Sequence, residues 1–127
     1  MRAGRTCAAR FLLGAVIDKI TLTELEEWQR AGRGFTLLDV RRAKVRTADG
    51  AEIAGTEWRN PDGLFSWKDE IRRDRPVVVV CAHGHELSQG TAATLRAMGL
   101  DARYLVDGFS GWRDSGRPTV PAAEVKT

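Results

Sequence analysis

The residues best equipped for covalent chemistry lie together in VVVVCAHGHELSQ, Val77 to Gln89, which holds Cys81 and both histidines of the chain, His83 and His85. A run of valines restricts χ1, favours extended backbone and, lacking polar alternation, implies a strand buried on both faces. A cysteine directly after such a strand sits at the C-terminal rim of a sheet, where the next helix points unpaired N–H groups at a ligand. Gly84 lets backbone approach closely within the short stretch Ala82 to Leu87, so several amides can converge as an anion nest. The same amides favour a thiolate over a thiol, and the thiolate is the nucleophile. Histidine changes charge near neutral pH, so His83 and His85 can each donate to a bound anion. Structural roles compete with this chemistry: a free cysteine at the end of a core strand is commonly a small buried apolar residue, and loop histidines are commonly just solvated. Metal binding is a third possibility, because Cys81, His83 and His85 alternate and would face one way on an extended segment as ligands for zinc, nickel or copper. Against it, the alternation falls where the strand ends and the backbone must turn.

These residues need a scaffold, and the rest of the chain supplies its parts. Thr21 and Glu24 have the spacing of a capping box, and Leu22, Leu25 and Trp28 recur on one helical face before Gly32 supplies a left-handed stop. FTLLDV, Phe35 to Val40, reads as a buried strand with Asp39 near its C-terminal end and Arg41 and Arg42 just beyond. From Ala43 to Asn60 the pattern weakens into a polar connection whose core candidates are Ile53 and Trp58. Leu64, Trp67 and Ile71 restore helical spacing after the turn Asn60 to Gly63. Beyond Ser88, the expected helix cap, Ala92, Leu95 and Met98 share a face, Gly99 stops the helix, and Ala102 to Val106 reads as the next strand. Strand, helix and strand make a right-handed crossover. Asp107-Gly108 turns the chain, Phe109 and Trp112 face the core from a last short helix ending near Gly116, and the tail from Pro118 is expected to be loosely held.

The chain has 127 residues, 43% hydrophobic and 29% charged, which fits one compact soluble domain and excludes disorder as its main description. A net charge of +3 mildly favours small anions, but no block of basic residues suits a nucleic acid and no segment is long enough to span a bilayer. Cys7 and Cys81 lie far apart in contrasting contexts, so no disulfide framework is implied; Cys7 reads as a neutral passenger or a resolving thiol. Residues 1–18 are expected to form an extension, basic and poor in acids as organelle transit peptides are, and a start codon placed too early would produce the same character. A cytoplasmic location is expected.

Cys81-Ala-His-Gly84 after VVVV, then a helix, then YLVDGFSGW (Tyr104 to Trp112), resembles the rhodanese domain, with its valine-rich strand, Cys-x-x-Gly loop and closing glycine-to-tryptophan segment. The front half agrees: ITLTELEEW is similar to that family's opening helix, LLDVR (Leu37 to Arg41) to its Asp-x-Arg strand end, and EIAGTEW to its Ile-x-Gly-Ala loop. The resemblance covers Ile20 to about Pro118. It implies the α/β class: a single rhodanese-like domain over residues 19–118, a central, mostly parallel sheet with helices on both faces, and a tail over 119–127. It also implies a thiosulfate sulfurtransferase, in which Cys81 attacks the outer sulfur of a donor, forms a persulfide and passes that sulfur to a thiol or cyanide. Carried over by position, Cys81 is the nucleophile, and Ala82, His83, Gly84, His85, Glu86 and Leu87 supply cradle amides and the donor-site lining. Arg41 matches the arginine after the family's Asp, where it helps hold the loop or its anion, or pairs structurally with Asp39. The implied partners are a small anionic sulfur donor and a thiol acceptor; no cofactor, metal, nucleic acid or membrane is expected.

Two features depart from the family pattern. The usual loop runs six residues from the cysteine, whereas here Glu86 is sixth and the expected cap, Ser88, comes later. A longer loop, like that of cell-cycle phosphatases and some arsenate reductases, stays open as an alternative with a wider nest for a tetrahedral oxyanion. Those enzymes close the loop with an arginine that clamps the oxyanion, and Leu87 stands there instead, which argues against phosphatase activity but not against a larger oxyanion. Glu86 is the second departure, because a carboxylate beside the sulfur would repel thiosulfate. Its side chain either points outward, pairs with His83 or His85, or faces the sulfur and favours a neutral or cationic donor or takes a proton from an incoming thiol. Trp58 and Trp67 line a substrate mouth or simply pack. A non-catalytic rhodanese-like module that binds a partner or an oxyanion is the remaining alternative.

Overall fold

The structure, a computed structural model, describes residues 17–122. Strand β1 (Lys19–Ile20) leads into helix α1 (Leu22–Arg30), whose capping box is complete: Glu24 N–H donates to Thr21 Oγ1 at 3.1 Å and Thr21 N–H to Glu24 Oε1 at 2.9 Å. Leu25 is buried from the middle of that helix, and Gly32 takes the left-handed turn that ends it, with φ +68°. There follow β2 (Thr36–Asp39), α2 (Ala43–Asp49), β3 (Ala51–Glu52), β4 (Thr56–Trp58) and α3 (Leu64–Trp67). The second half runs through β5 (Val77–Val80), α4 (Glu86–Ala97), β6 (Ala102–Leu105), α5 (Gly108–Asp114) and β7 (Val120–Pro121).

Five strands form one sheet in the order β1-β6-β5-β2-β4, every pair parallel. The valine strand is central and buried along its length, and its alternate residues enter two cores. Val77 and Val79, followed by Cys81, pack with Trp67, Ile71, Ala92 and Leu95 on one face. Val78 and Val80 pack with Leu25, Ile53, Phe109 and Trp112 on the other. The expected α/β class, a parallel sheet covered on both faces, is thus borne out. Register then sets up the site: Asp39 pairs with Val80, and Val40 N–H donates to Val80 O at 2.8 Å, so Arg41 and Cys81 leave the sheet side by side.

Three expectations are corrected. The polar connection from Ala43 to Asn60 contains α2, β3 and β4. Helix α2 has no apolar stripe because its buried residue is Arg46, whose guanidinium meets Glu52 at 2.6 Å and Asp39 at 3.6 Å, so hydrophobic periodicity has nothing to register. Ile53 is buried as expected, while Trp58 is half-buried and donates its indole N–H to Arg41 O. Ser88 is not a cap: α4 starts at Glu86 with His85 in the N-cap position. The stretch after Pro118 is tied down locally, since β7 pairs antiparallel with β3 and Trp112 Nε1–H donates to Pro118 O at 2.7 Å. Cys7 and residues 1–16 of the expected extension over 1–18 lie outside the described residues, as does the end of the chain from 123. Among the described residues no helix is long and apolar enough to cross a membrane.

The reciprocal cap joins α1 to the edge strand β1, so Thr21→Ala is expected to lower unfolding free energy by about 1 kcal/mol in chemical denaturation, with the fold unchanged by circular dichroism.

Candidate active site

Cys81 follows β5 directly and is 5% exposed. Its thiol donates to the Ser88 hydroxyl at 3.0 Å, and that hydroxyl reaches His85 O at 3.4 Å. Ser88 stands in the first turn of α4, where side chains lean back toward the helix N-terminus and so over the loop. A cavity of about 220 Å³ opens beside the sulfur. Its wall is built by Cys81, Ala82, His83 and His85 from the loop, Leu87 from α4, Arg41 and Arg42 from the end of β2, and Val45 from α2.

The loop between β5 and α4 is held by its carbonyl groups. Cys81 O accepts from Phe109 N–H and Ala82 O from Ser110 N–H, both at 2.8 Å, at the start of α5. Gly84 O accepts from the Gln89 amide at 3.0 Å, and His85 O from Gln89 N–H at 3.0 Å. By contrast, among the described residues no backbone carbonyl accepts from the N–H groups of Ala82 to Leu87. A loop with most of its carbonyl groups engaged and its amides left without backbone acceptors, joined to a helix N-terminus, is suited to an anion.

Two glycines make the docking possible. Gly84 has φ +74°, and a Cβ there would lie 2.7 Å from both Leu105 O and Asp107 N. Gly108 has φ +61°, and a Cβ there would lie 2.4 Å from Cys81 O and 2.6 Å from Gly84 N. Each position therefore excludes a side chain twice over, by backbone conformation and by a neighbouring main chain.

Charge near the cavity is largely compensated. Arg41, 1% exposed, donates to both carboxylate oxygens of Asp39, to Asp49 Oδ2 at 2.9 Å and to Ala51 O at 2.9 Å, and its guanidinium stacks over Phe109. Arg42, at the mouth, is bound to Asp62 at 2.9 Å.

The chain matches the model of the rhodanese-like domain over residues 21–115. It belongs to the rhodanese-like domain family. Thiosulfate sulfurtransferase GlpE of Tolumonas auensis is 36% identical over 89 residues, covering 67% of this chain and 83% of that one. The protein of the same name from Actinobacillus succinogenes is 37% identical over 91 residues, covering 71% and 79%. A rhodanese-related protein from Thermoplasma volcanium superposes with a TM-score of 0.70 at 27% identity, over 81% of this chain and 97% of that structure.

Within this rhodanese-like framework the residues singled out from sequence divide. Cys81, Ala82, His83, His85 and Leu87 come together around one cavity, with Arg41 at its back wall. Gly84 and Glu86 are not part of the wall: Gly84 is buried against the 105–108 turn, and Glu86 is exposed on the first turn of α4, where a carboxylate suits the helix dipole. The hydrogen bonds of the Arg41 guanidinium go to Asp39, Asp49 and Ala51, the pairing expected of a structural role. Cys81, His83 and His85 do not assemble as metal ligands; among the described residues no three His, Cys, Asp or Glu side chains are grouped to hold an ion. Trp67 packs in the core and donates to Asn60 O, and neither it nor Trp58 lines the cavity. Sequence reasoning missed Ser88 and Val45. For Ser88 the available signal was its place one turn inside a helix whose start had been set too late.

Gly108→Ala tests the docking directly. The backbone strain alone costs about 1–3 kcal/mol, and displacement of Cys81 O adds to it, so urea denaturation should show a loss at the upper end of that range or beyond.

Proposed function

We propose that this chain is a sulfurtransferase that takes a sulfane sulfur from a donor such as thiosulfate and passes it on through a persulfide on Cys81. One observation carries this: the Cys81 thiol lines a cavity beside a helix N-terminus, in a loop where the carbonyl groups of Cys81, Ala82, Gly84 and His85 accept hydrogen bonds while, among the described residues, no backbone carbonyl takes up the amides of Ala82 to Leu87. Family membership and relatives named as thiosulfate sulfurtransferases support it.

In this scheme the Cys81 thiolate attacks the outer sulfur of thiosulfate. A sulfur–sulfur bond forms at Cys81 Sγ, the bond to the sulfonate sulfur breaks, and sulfite leaves with the electron pair. The amides of Ala82 to Leu87 hold first the thiolate and donor, then the persulfide anion, without rearranging. Ser88, which accepts from the thiol, turns its hydroxyl to donate once the sulfur is ionised. Attack by cyanide or a thiolate on the outer persulfide sulfur returns Cys81 as thiolate. Two displacements at an activated nucleophile replace one difficult transfer. His83 and His85, exposed at the cavity, are placed to meet the donor's oxygens or an incoming acceptor. A cytoplasmic setting, where thiols stay reduced, accords with a free nucleophilic cysteine.

Intact-mass spectrometry after incubation with thiosulfate should show the mass of one added sulfur, removed by cyanide and absent in Cys81→Ser. A protein that stays unmodified would instead be a non-catalytic binding module. Ser88→Ala removes one hydrogen bond to a charged group and should lower kcat/KM for thiosulfate by about 10-fold or more, with little change in stability.

A further inference from the structure

The cavity beside Cys81 does not resemble a site built for a small dianion alone. Of its two guanidinium groups, Arg41 is committed to Asp39 and Asp49, and Arg42 pairs with Asp62 at the exposed rim. Its polar groups otherwise come from the loop: the free amides and the imidazoles of His83 and His85. Away from the loop and these two arginines the wall is apolar. Leu87, at the position where an arginine would clamp an oxyanion, packs against the core, and Val45, 40% exposed, faces the same cavity from α2. At about 220 Å³ the space exceeds the volume of an inorganic thiosulfate ion. A fully charged sulfonate against Val45 and Leu87 would lose water without gaining a partner, whereas an apolar group there loses nothing.

We propose that Val45 and Leu87 select an organic sulfane-sulfur donor, whose leaving sulfur carries an uncharged alkyl or aryl group, over inorganic thiosulfate. This rests on the assignment of Cys81 as the sulfur-accepting nucleophile. The amides grip the sulfane sulfur as it transfers, and the alkyl or aryl group lies along the wall. With a thiosulfonate, a bond forms between Cys81 Sγ and the sulfane sulfur, the bond from that sulfur to the sulfonyl sulfur breaks, and a sulfinate leaves with the electron pair. No oxidant or reductant is needed.

The test is the second-order rate of Cys81 persulfide formation with thiosulfate, methanethiosulfonate and benzenethiosulfonate, followed by mass spectrometry at one fixed pH. Each rate is divided by that of the same donor with a small free thiol, which removes intrinsic reactivity. Burial of one methylene in an apolar pocket is worth about 10-fold, so the normalised rate should rise from thiosulfate to the methyl donor and by a further factor of at least about 10 to the larger phenyl donor. Val45→Lys, at an exposed position, places a cation in the wall and should cut the ratio of phenyl donor to thiosulfate roughly fivefold, mainly by speeding thiosulfate. Leu87→Arg should shift it the same way. Thiosulfate loading as fast as the organic donors, or a ratio unmoved by Val45→Lys, would overturn the selectivity and leave sulfur transfer standing. Failure of every donor to load Cys81 would remove both.

Discussion

The site depends on two main-chain segments pressed together without side chains between them. The loop after β5 and the turn entering α5 meet at Gly84 and Gly108, close enough that Phe109 and Ser110 donate to the carbonyl groups of Cys81 and Ala82. A peptide unit has one donor and one acceptor, and its planarity points them in opposite directions. Fixing the carbonyl groups of the loop against α5 therefore turns the neighbouring amides the other way. The orientation of the loop amides follows from how the loop is anchored, and the helix that anchors it contributes no residue to the cavity wall.

Beside the apolar core that takes in Cys81 lies a cluster of ion pairs. Asp39, Arg41, Arg46, Asp49 and Glu52 join the end of β2 to α2 and β3 through buried ion pairs. Such pairs add little net stability but are costly to break, so they fix geometry more than they strengthen the fold. Here they hold Arg41 beside the Cys81 sulfur while neutralising the guanidinium, with Phe109 stacked on it. The arginine next to the cysteine thus serves as a strut.

How legible each part was depends on which interaction encodes it. The valine strand, the capping box at Thr21 and the helical face of Ala92 and Leu95 are local patterns of apolar spacing or hydrogen bonding, and the structure follows them. Helix α2 was invisible because its buried side is charged, and a charged residue counts as solvent-facing until a partner elsewhere in the chain is known. The start of α4 was misplaced for a related reason. A serine before a helical pattern suggests a side-chain cap, but His85 occupies the cap position without one, and the orphan amides are left for a ligand.

From sequence alone came the fold class, the central strand and the place of Cys81 at its end, because each is written in the period and type of adjacent residues. Only the tertiary structure decided what surrounds that cysteine. Ser88 beside the sulfur, Val45 across the cavity, Arg41 locked to carboxylates and Gly84 pressed against Gly108 are all meetings between side chains or segments set by packing. Spacing along a chain determines which way a residue faces, whereas the identity of what it faces is settled when distant elements close around it.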